Sequence, residues 1–181
     1  EELNELVYKK ALRKLKSECL DLPELIKTMR LVEWGKDQKK AYDELKRDFL
    51  TFIQTSKENE EPASVTANLA LTKALRMLQV ASGFVQTDDG QIHEFTDVPR
   101  LEECKQLLAE IVCDNEQKCI LWCSYKYNYK MLARICDQLG IKYVYITGEQ
   151  NTKEKRESEL AFRDDPSVMV AICNRRAGGV G

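Results

Sequence analysis

The chain is 181 residues long, 43% hydrophobic and 32% charged, with a formal net charge of −2. That length fits one domain, or a domain with an appendage, and the hydrophobic fraction is enough for a sizeable core. No apolar run approaches the ~18 residues of a membrane span. The charged start is not expected to act as a signal peptide, and the charge balance excludes a globally basic nucleic-acid-binding domain, leaving only a local basic surface for that role.

Leu3, Leu6, Val7, Ala11 and Leu15 recur at helical spacing and predict an opening helix. Its other face carries Lys9, Lys10, Arg13, Lys14 and Lys16, and the stretch 21–24 breaks it. The first residue is Glu1 rather than Met, so the sequence is expected to be a piece of a longer protein. Residues 28–34 alternate Met29, Leu31 and Glu33 against Arg30, Val32 and Trp34, which predicts a strand. Gly35 is expected to turn the chain, and Asp37 to cap a helix through about Ser56. The apolar stripe of that helix is Ala41, Leu45, Phe49, Phe52 and Ile53, with Tyr42 beside it. Residues 56–64 are polar, contain Pro62 and read as a loop or linker. Another helix reaches about Ala81, burying Leu71, Leu75 and Leu78, with Gly83 as its end signal. Residues 84–95 read as a hairpin around Asp89-Gly90, placing His93 as a solvent-facing strand residue rather than a ligand.

From Pro99 the pattern changes. A helix bearing Leu101, Cys104, Leu107, Leu108 and Ile111 leads to a strand over 118–123, a helix over about 128–139 closed by Gly140, and a strand over 141–147. A helix over 152–163 and a strand over 168–173 follow. Asn151 with Glu154 three residues on resembles a capping box with Asn in the place of Ser or Thr. Strands alternating with helices imply an α/β parallel sheet with helices on its faces. Three strands are few for such a sheet, so the domain is expected to continue beyond Gly181.

Ligands of such sheets bind beyond the carboxyl ends of the strands. Three loops should share that edge: 124–128 (SYKYN), 148–152 (GEQNT) and 174–181 (NRRAGGVG). Two of them lead into helix N-termini, where free N–H groups favour anions. Lys126, Lys130 and Arg134 fall on one helix face and could track a phosphate backbone; the alternative is a solvated face. Lys153, Lys155 and Arg156 open the next helix, where cations oppose the dipole unless an anion is bound.

No Gly-x-x-x-x-Gly-Lys-Ser/Thr run occurs, so the chain has no P-loop. The stretch 42–46 (YDELK) sits inside an amphipathic helix and is no acidic metal box. With seven cysteines, no Cys-x-x-Cys pair and His93 as the one histidine, no metal site is expected. Cys119, Cys123, Cys136 and Cys173 read as small buried hydrophobes. A reducing compartment fits, cytoplasmic or, in a eukaryote, nuclear.

These residues resemble the second RecA-like lobe, the helicase C-terminal domain, of Swi/Snf-type superfamily-two DNA-dependent ATPases and helicases. Residues 120–136 (ILWCSYKYNYKMLARIC) are similar to motif four of that family, a strand ending in a Ser-aromatic loop. Residues 145–166 (YITGEQNTKEKRESELAFRDDP) resemble the following motif, a Gly-Ser-Thr loop and an Arg-bearing helix ending near a Phe. Residues 168–181 (VMVAICNRRAGGVG) resemble motif five, Ser-Thr-Arg-Ala-Gly-Gly-x-Gly, the most specific match. Residues 11–24, 37–45 and 98–111 also resemble the segments that enter this lobe and precede motif four. Asn174-Arg175 departs from the usual Ser-Thr pair, and Glu149-Gln150 from a small or hydroxyl pair.

The resemblance implies a partial RecA-like parallel sheet with flanking helices over 99–181, ending after motif five. A mostly helical lobe-entry segment with a strand and a hairpin should precede it over 1–98. It implies a motor lobe that binds the nucleic-acid backbone through Ser124, Tyr125, Lys126, Gly148, Asn151 and Arg156. Arg175, Arg176, Gly178, Gly179 and Gly181 would couple that backbone to an ATP cleft. The implied partners are DNA, as a duplex, and the first RecA-like lobe of the same protein; no membrane is implied. ATP and Mg2+ would be cofactors of the full-length protein, with none bound and no catalytic residue in this fragment alone. A non-catalytic RecA-like binding or regulatory module, or another nucleotide-binding α/β enzyme such as a transferase, are the other readings.

Overall fold

The computed structural model describes residues 11, 14, 15, 19–21, 23–58 and 63–178. The chain divides into two units, Glu1–Leu31 and Val32–Gly181. About half of the first, with most of the helix expected there, lies outside the described residues. Residues 28–34 form no strand. Alternation marks a surface that could pair, but it supplies no partner strand. The Trp34 ring instead lies 4.7 Å from that of Tyr42.

In the second unit, helix α1 (Lys36–Glu58) is followed by α2 (Ala63–Ala81). The stripe Ala41, Tyr42, Leu45, Phe49, Phe52 and Ile53 is the half-buried face of α1, as its period predicts. On α2 the expectation fails: Leu71, Leu75 and Leu78 are exposed, while Val80 is fully buried. This helix is apolar on most sides, so its period does not single out one inward face. Gln38 is buried and donates through Nε2 to the Val80 carbonyl at 2.7 Å, joining the start of α1 to the end of α2. Gly35 does not turn the chain. It is buried against Asp97, whose carbonyl oxygen would lie 1.9 Å from any Cβ there.

Strands β1 (Phe84–Gln86) and β2 (Ile92–Glu94) form the expected antiparallel hairpin, and His93 is exposed. Glu94 ties this hairpin to the α/β unit. It accepts two bonds from Arg134 Nη2, at 2.6 and 2.7 Å, and one from the Tyr127 hydroxyl at 2.7 Å.

Helix α3 (Pro99–Leu108) widens into a π-helical turn (Ala109–Asp114) before β3 (Cys119–Cys123). Helix α4 (Lys126–Leu139), β4 (Lys142–Ile146), α5 (Thr152–Asp164), β5 (Val168–Asn174) and a single turn α6 (Arg175–Gly178) complete the unit. Gly140 closes α4 in the left-handed region (φ 68°), which a side chain would resist. The capping box of α5 is made in full: Glu154 N donates to Asn151 Oδ1 and Asn151 N to Glu154 Oε2, both at 2.9 Å.

The three strands are parallel, in the order β3-β5-β4. Cys119 aligns with Val170 and Cys123 with Asn174; Tyr143 aligns with Val170 after a register shift at Lys142. The central strand β5 is an unbroken apolar run because both its faces are covered. Val170, Ala171 and Ile172 are fully buried, and burial of Val170 and Ile172 contributes about 2 kcal/mol each. From α4, Tyr129, Leu132, Ala133, Ile135 and Cys136 pack on one face with Leu108 and Val112. Burial pushes the Cys136 thiol up to about 12 and that of Cys173 to about 11, so both remain protonated and act as small hydrophobes.

Candidate nucleic-acid interface

Parallel pairing brings the carboxyl ends of β3, β4 and β5 to one edge, and the loops that follow them meet there. They enclose a cleft of about 610 Å³ lined by Ser124, Lys126, Tyr129, Gly148, Glu149, Lys155, Asn174, Arg175, Arg176 and Ala177. Four cations and one acid are in that set.

Each loop is held from within. After β4, the Gln150 side chain turns inward: its Oε1 accepts from Thr147 N and its Nε2 donates to Ser158 Oγ, both at 3.0 Å. Glu149 is thereby left on the rim, where its Oε1 lies 2.8 Å from Lys126 Nζ. Lys126 opens α4, where the helix dipole disfavours a cation. The hydrogen bond and charge of Glu149 offset that and raise the Lys126 ammonium above its ordinary value. After β5, Asn174 accepts from Arg176 N at 2.9 Å through Oδ1 and donates to the Cys123 carbonyl at 3.5 Å through Nδ2. Asn174, read from sequence only as a departure from Ser-Thr, thus fixes where the two arginines begin. They open a helical turn rather than a glycine loop. Gly178 ends that turn, and Gly179 and Gly181 lie outside the described residues.

Of the residues picked out in the sequence, Ser124, Lys126, Gly148, Arg175 and Arg176 come together in this cleft. Tyr125 does not: it meets Phe84 edge-on at 5.7 Å and lines a groove beside β3 with Trp122 and Leu78. Asn151 is spent on capping α5, and Arg156 lies 3.8 Å from Glu159 on the exposed side of that helix. Its neighbour Lys155 is the α5 cation that lines the cleft. The helical phase relative to the cleft decides between those two, and the phase depends on how α5 packs on the sheet. The stripe Lys126, Lys130, Arg134 is no continuous cationic track, because Glu149 pairs with its first member and Glu94 with its last. No group of residues suited to hold a metal ion occurs among the described residues.

This is the edge at which parallel α/β sheets bind ligands, and its four cations outnumber its one acid. No protein-family model matches the chain, and no curated protein does. Among solved structures it is similar to the Sulfolobus solfataricus SWI2/SNF2 ATPase C-terminal domain (TM-score 0.67, 17% identity, 82% of this chain and 62% of that one). It is similar to the C-terminal part of the Fun30 ATPase domain (TM-score 0.63, 16% identity, 82% and 68%). It is also similar to the Sulfolobus solfataricus SWI2/SNF2 ATPase core in complex with dsDNA (TM-score 0.71, 18% identity, 96% and 36%). The fold is that of a RecA-like C-terminal lobe, as the motif resemblance implied. The chain spans 62% of the length of the first of these structures and about a third of the core.

Proposed function

We propose that this chain is the second motor lobe of an ATP-dependent DNA translocase or helicase-like protein. It holds the nucleic-acid backbone at the carboxyl edge of its sheet and couples that grip to ATP hydrolysis in a first lobe. The observation that carries the reading is the convergence of Lys126, Lys155, Arg175 and Arg176, from the first turns of three separate helices, on one cleft. Clustered lysines and arginines suit phosphates, which position a duplex without reading its sequence. The likeness to an ATPase core in complex with dsDNA supports a duplex as the partner.

ATP and Mg2+ belong to the whole motor in this reading. Arg175 and Arg176 directly follow β5. In the two-lobe protein these arginines, with Gly178, Gly179 and Gly181, would form the coupling segment. A DNA partner would be met in the cytoplasm or nucleus; no helix among the described residues is long and apolar enough to cross a membrane. The division at residues 98 and 99 is, in this reading, the boundary between lobe entry and lobe proper.

The test is fluorescence anisotropy of a labelled duplex titrated with the chain across a salt series. Affinity should fall linearly with salt on logarithmic axes, with a slope of about −3 for three to four neutralised phosphates. A flat salt response, or no binding at low salt, would overturn the reading. Alone, the chain should hydrolyse no ATP, and turnover abolished by mutating its own residues would defeat the motor-lobe assignment.

A further inference from the structure

A second cavity adjoins the cleft and differs from it in character. It occupies about 480 Å³ and is walled by Tyr127, Tyr129, Tyr145 and the hairpin residue Ile92, with Lys126 and Lys130 among its lining residues. Lys126, Tyr129 and Glu149 line both cavities, so the Lys126–Glu149 ion pair stands on their common boundary.

The aromatic walls are fixed before any ligand arrives. Tyr127 is held through its hydroxyl by Glu94, which Arg134 holds in turn. Tyr129 is buried, and the Tyr145 ring rests edge-on against Tyr143 at 5.5 Å. Ile92 is placed by the same hairpin that Glu94 clamps. A cavity ordered in advance loses little conformational entropy when filled. Its tyrosine walls give phosphate no reason to enter. They suit a flat, polarisable ring, and the two ammonium groups favour a ligand that carries negative charge close by.

We propose that this cavity receives one unpaired base of a nucleic-acid strand whose phosphates lie in the adjoining cleft. The inference rests on the phosphate-binding reading of that cleft. Stacking on aromatic side chains tolerates every base, so the site selects for a base out of its stack and not for a sequence. In a fully paired duplex every base is stacked, and extruding one costs free energy that an unpaired nucleotide has already forgone. The chain should therefore favour duplexes that carry an unpaired nucleotide.

Two labelled duplexes, identical except for a single unpaired thymine in one, are titrated with the chain by anisotropy. The bulged duplex should bind about tenfold more tightly, the gain of one base–aromatic stack. Tyr145→Ala should abolish the preference and leave affinity for the paired duplex unchanged. Ile92→Ala, at an exposed hairpin position, repeats the test without touching the three parallel strands. Equal affinity of the unaltered chain for the two duplexes would overturn the base cavity and leave the phosphate cleft standing. Binding to neither would overturn both. A preference that survives both substitutions would assign it to the bend of the bulged duplex and overturn the cavity.

Discussion

Lys126 Nζ lies 2.8 Å from Glu149 Oε1, so one of the four cations of the cleft is already matched by an acid from the neighbouring loop. Both side chains are largely exposed, and the pair adds little to stability. On the proposed reading it acts on the ligand instead, because an arriving phosphate would compete with the carboxylate for the same ammonium. Glu149→Gln is expected to tighten duplex binding about threefold and to steepen its salt dependence by about one counterion. Anisotropy at several salt concentrations measures both; an unchanged affinity and slope would mean that Lys126 faces no phosphate.

Lys155 and Arg156 are adjacent in sequence but differ in setting. Only Lys155 lines the cleft, and Arg156 leans toward Glu159. Lys155→Ala should weaken all duplex sequences alike and lower the salt slope by about one. Arg156→Ala should change the slope by much less. Equal losses from the two substitutions would place the backbone on the outer face of α5 rather than in the cleft.

Glu94 gives the stability of the chain a pH dependence. Burial by itself would raise its carboxyl, but hydrogen bonds from Arg134 and Tyr127 outweigh that and hold it below the ordinary value of 4.5. A carboxyl lowered on folding stabilises the folded state above its unfolded value. That contribution is lost as pH falls through the lowered folded value. The stability difference between the chain and Glu94→Gln should be about 1 kcal/mol near neutrality, given that Arg134 is half exposed. It should vanish as pH falls through the lowered folded value, as followed by thermal unfolding at each pH. A difference that grows on acidification would contradict the clamp.

Gly35→Ala places a methyl group 1.9 Å from the Asp97 carbonyl oxygen, so the start of α1 must move away from the segment before α3. The overpacking should cost about 2 kcal/mol and lower the unfolding midpoint by about 6 °C. Gly148→Ala meets no atom within 4 Å and should leave the midpoint unchanged. Calorimetry of the two variants side by side checks the contrast.

The α/β half was readable from sequence because its signals are local. A continuous apolar run such as 168–173 calls for a strand covered on both faces, and Asn151 with Glu154 places a helix start to the residue. The segments that misled share a different property: their outcome is set by something distant in the chain. Residues 28–34 have the pattern of a strand and form none, and Leu71, Leu75 and Leu78 have the period of a buried face yet are exposed. In the cleft, residue types pointed to anion chemistry. The exchange of Arg156 for Lys155, and the loss of Lys126 and Arg134 from a free stripe to Glu149 and Glu94, depended on tertiary placement. Glu149 was legible only as an oddity of the motif, whereas its effect comes from a partner some twenty residues earlier.

The strand order carries a consequence for how the chain comes to be folded. β3 and β4 are not neighbours; among the described residues each pairs only with β5, the latest of the three in the chain. As the polypeptide leaves the ribosome, β3 and β4 emerge with their ladder groups open and must wait for residues 168–174 before either finds its mate. Non-local parallel pairing of this kind is slow, because loop-closure entropy is lost before any ladder forms. The helices and the hairpin can form early from contacts near in sequence, so the sheet assembles in a single late event when its middle arrives. A nascent chain stalled short of Val168 would present two unpaired strand edges, and it is at that stage that a chaperone would have something to hold.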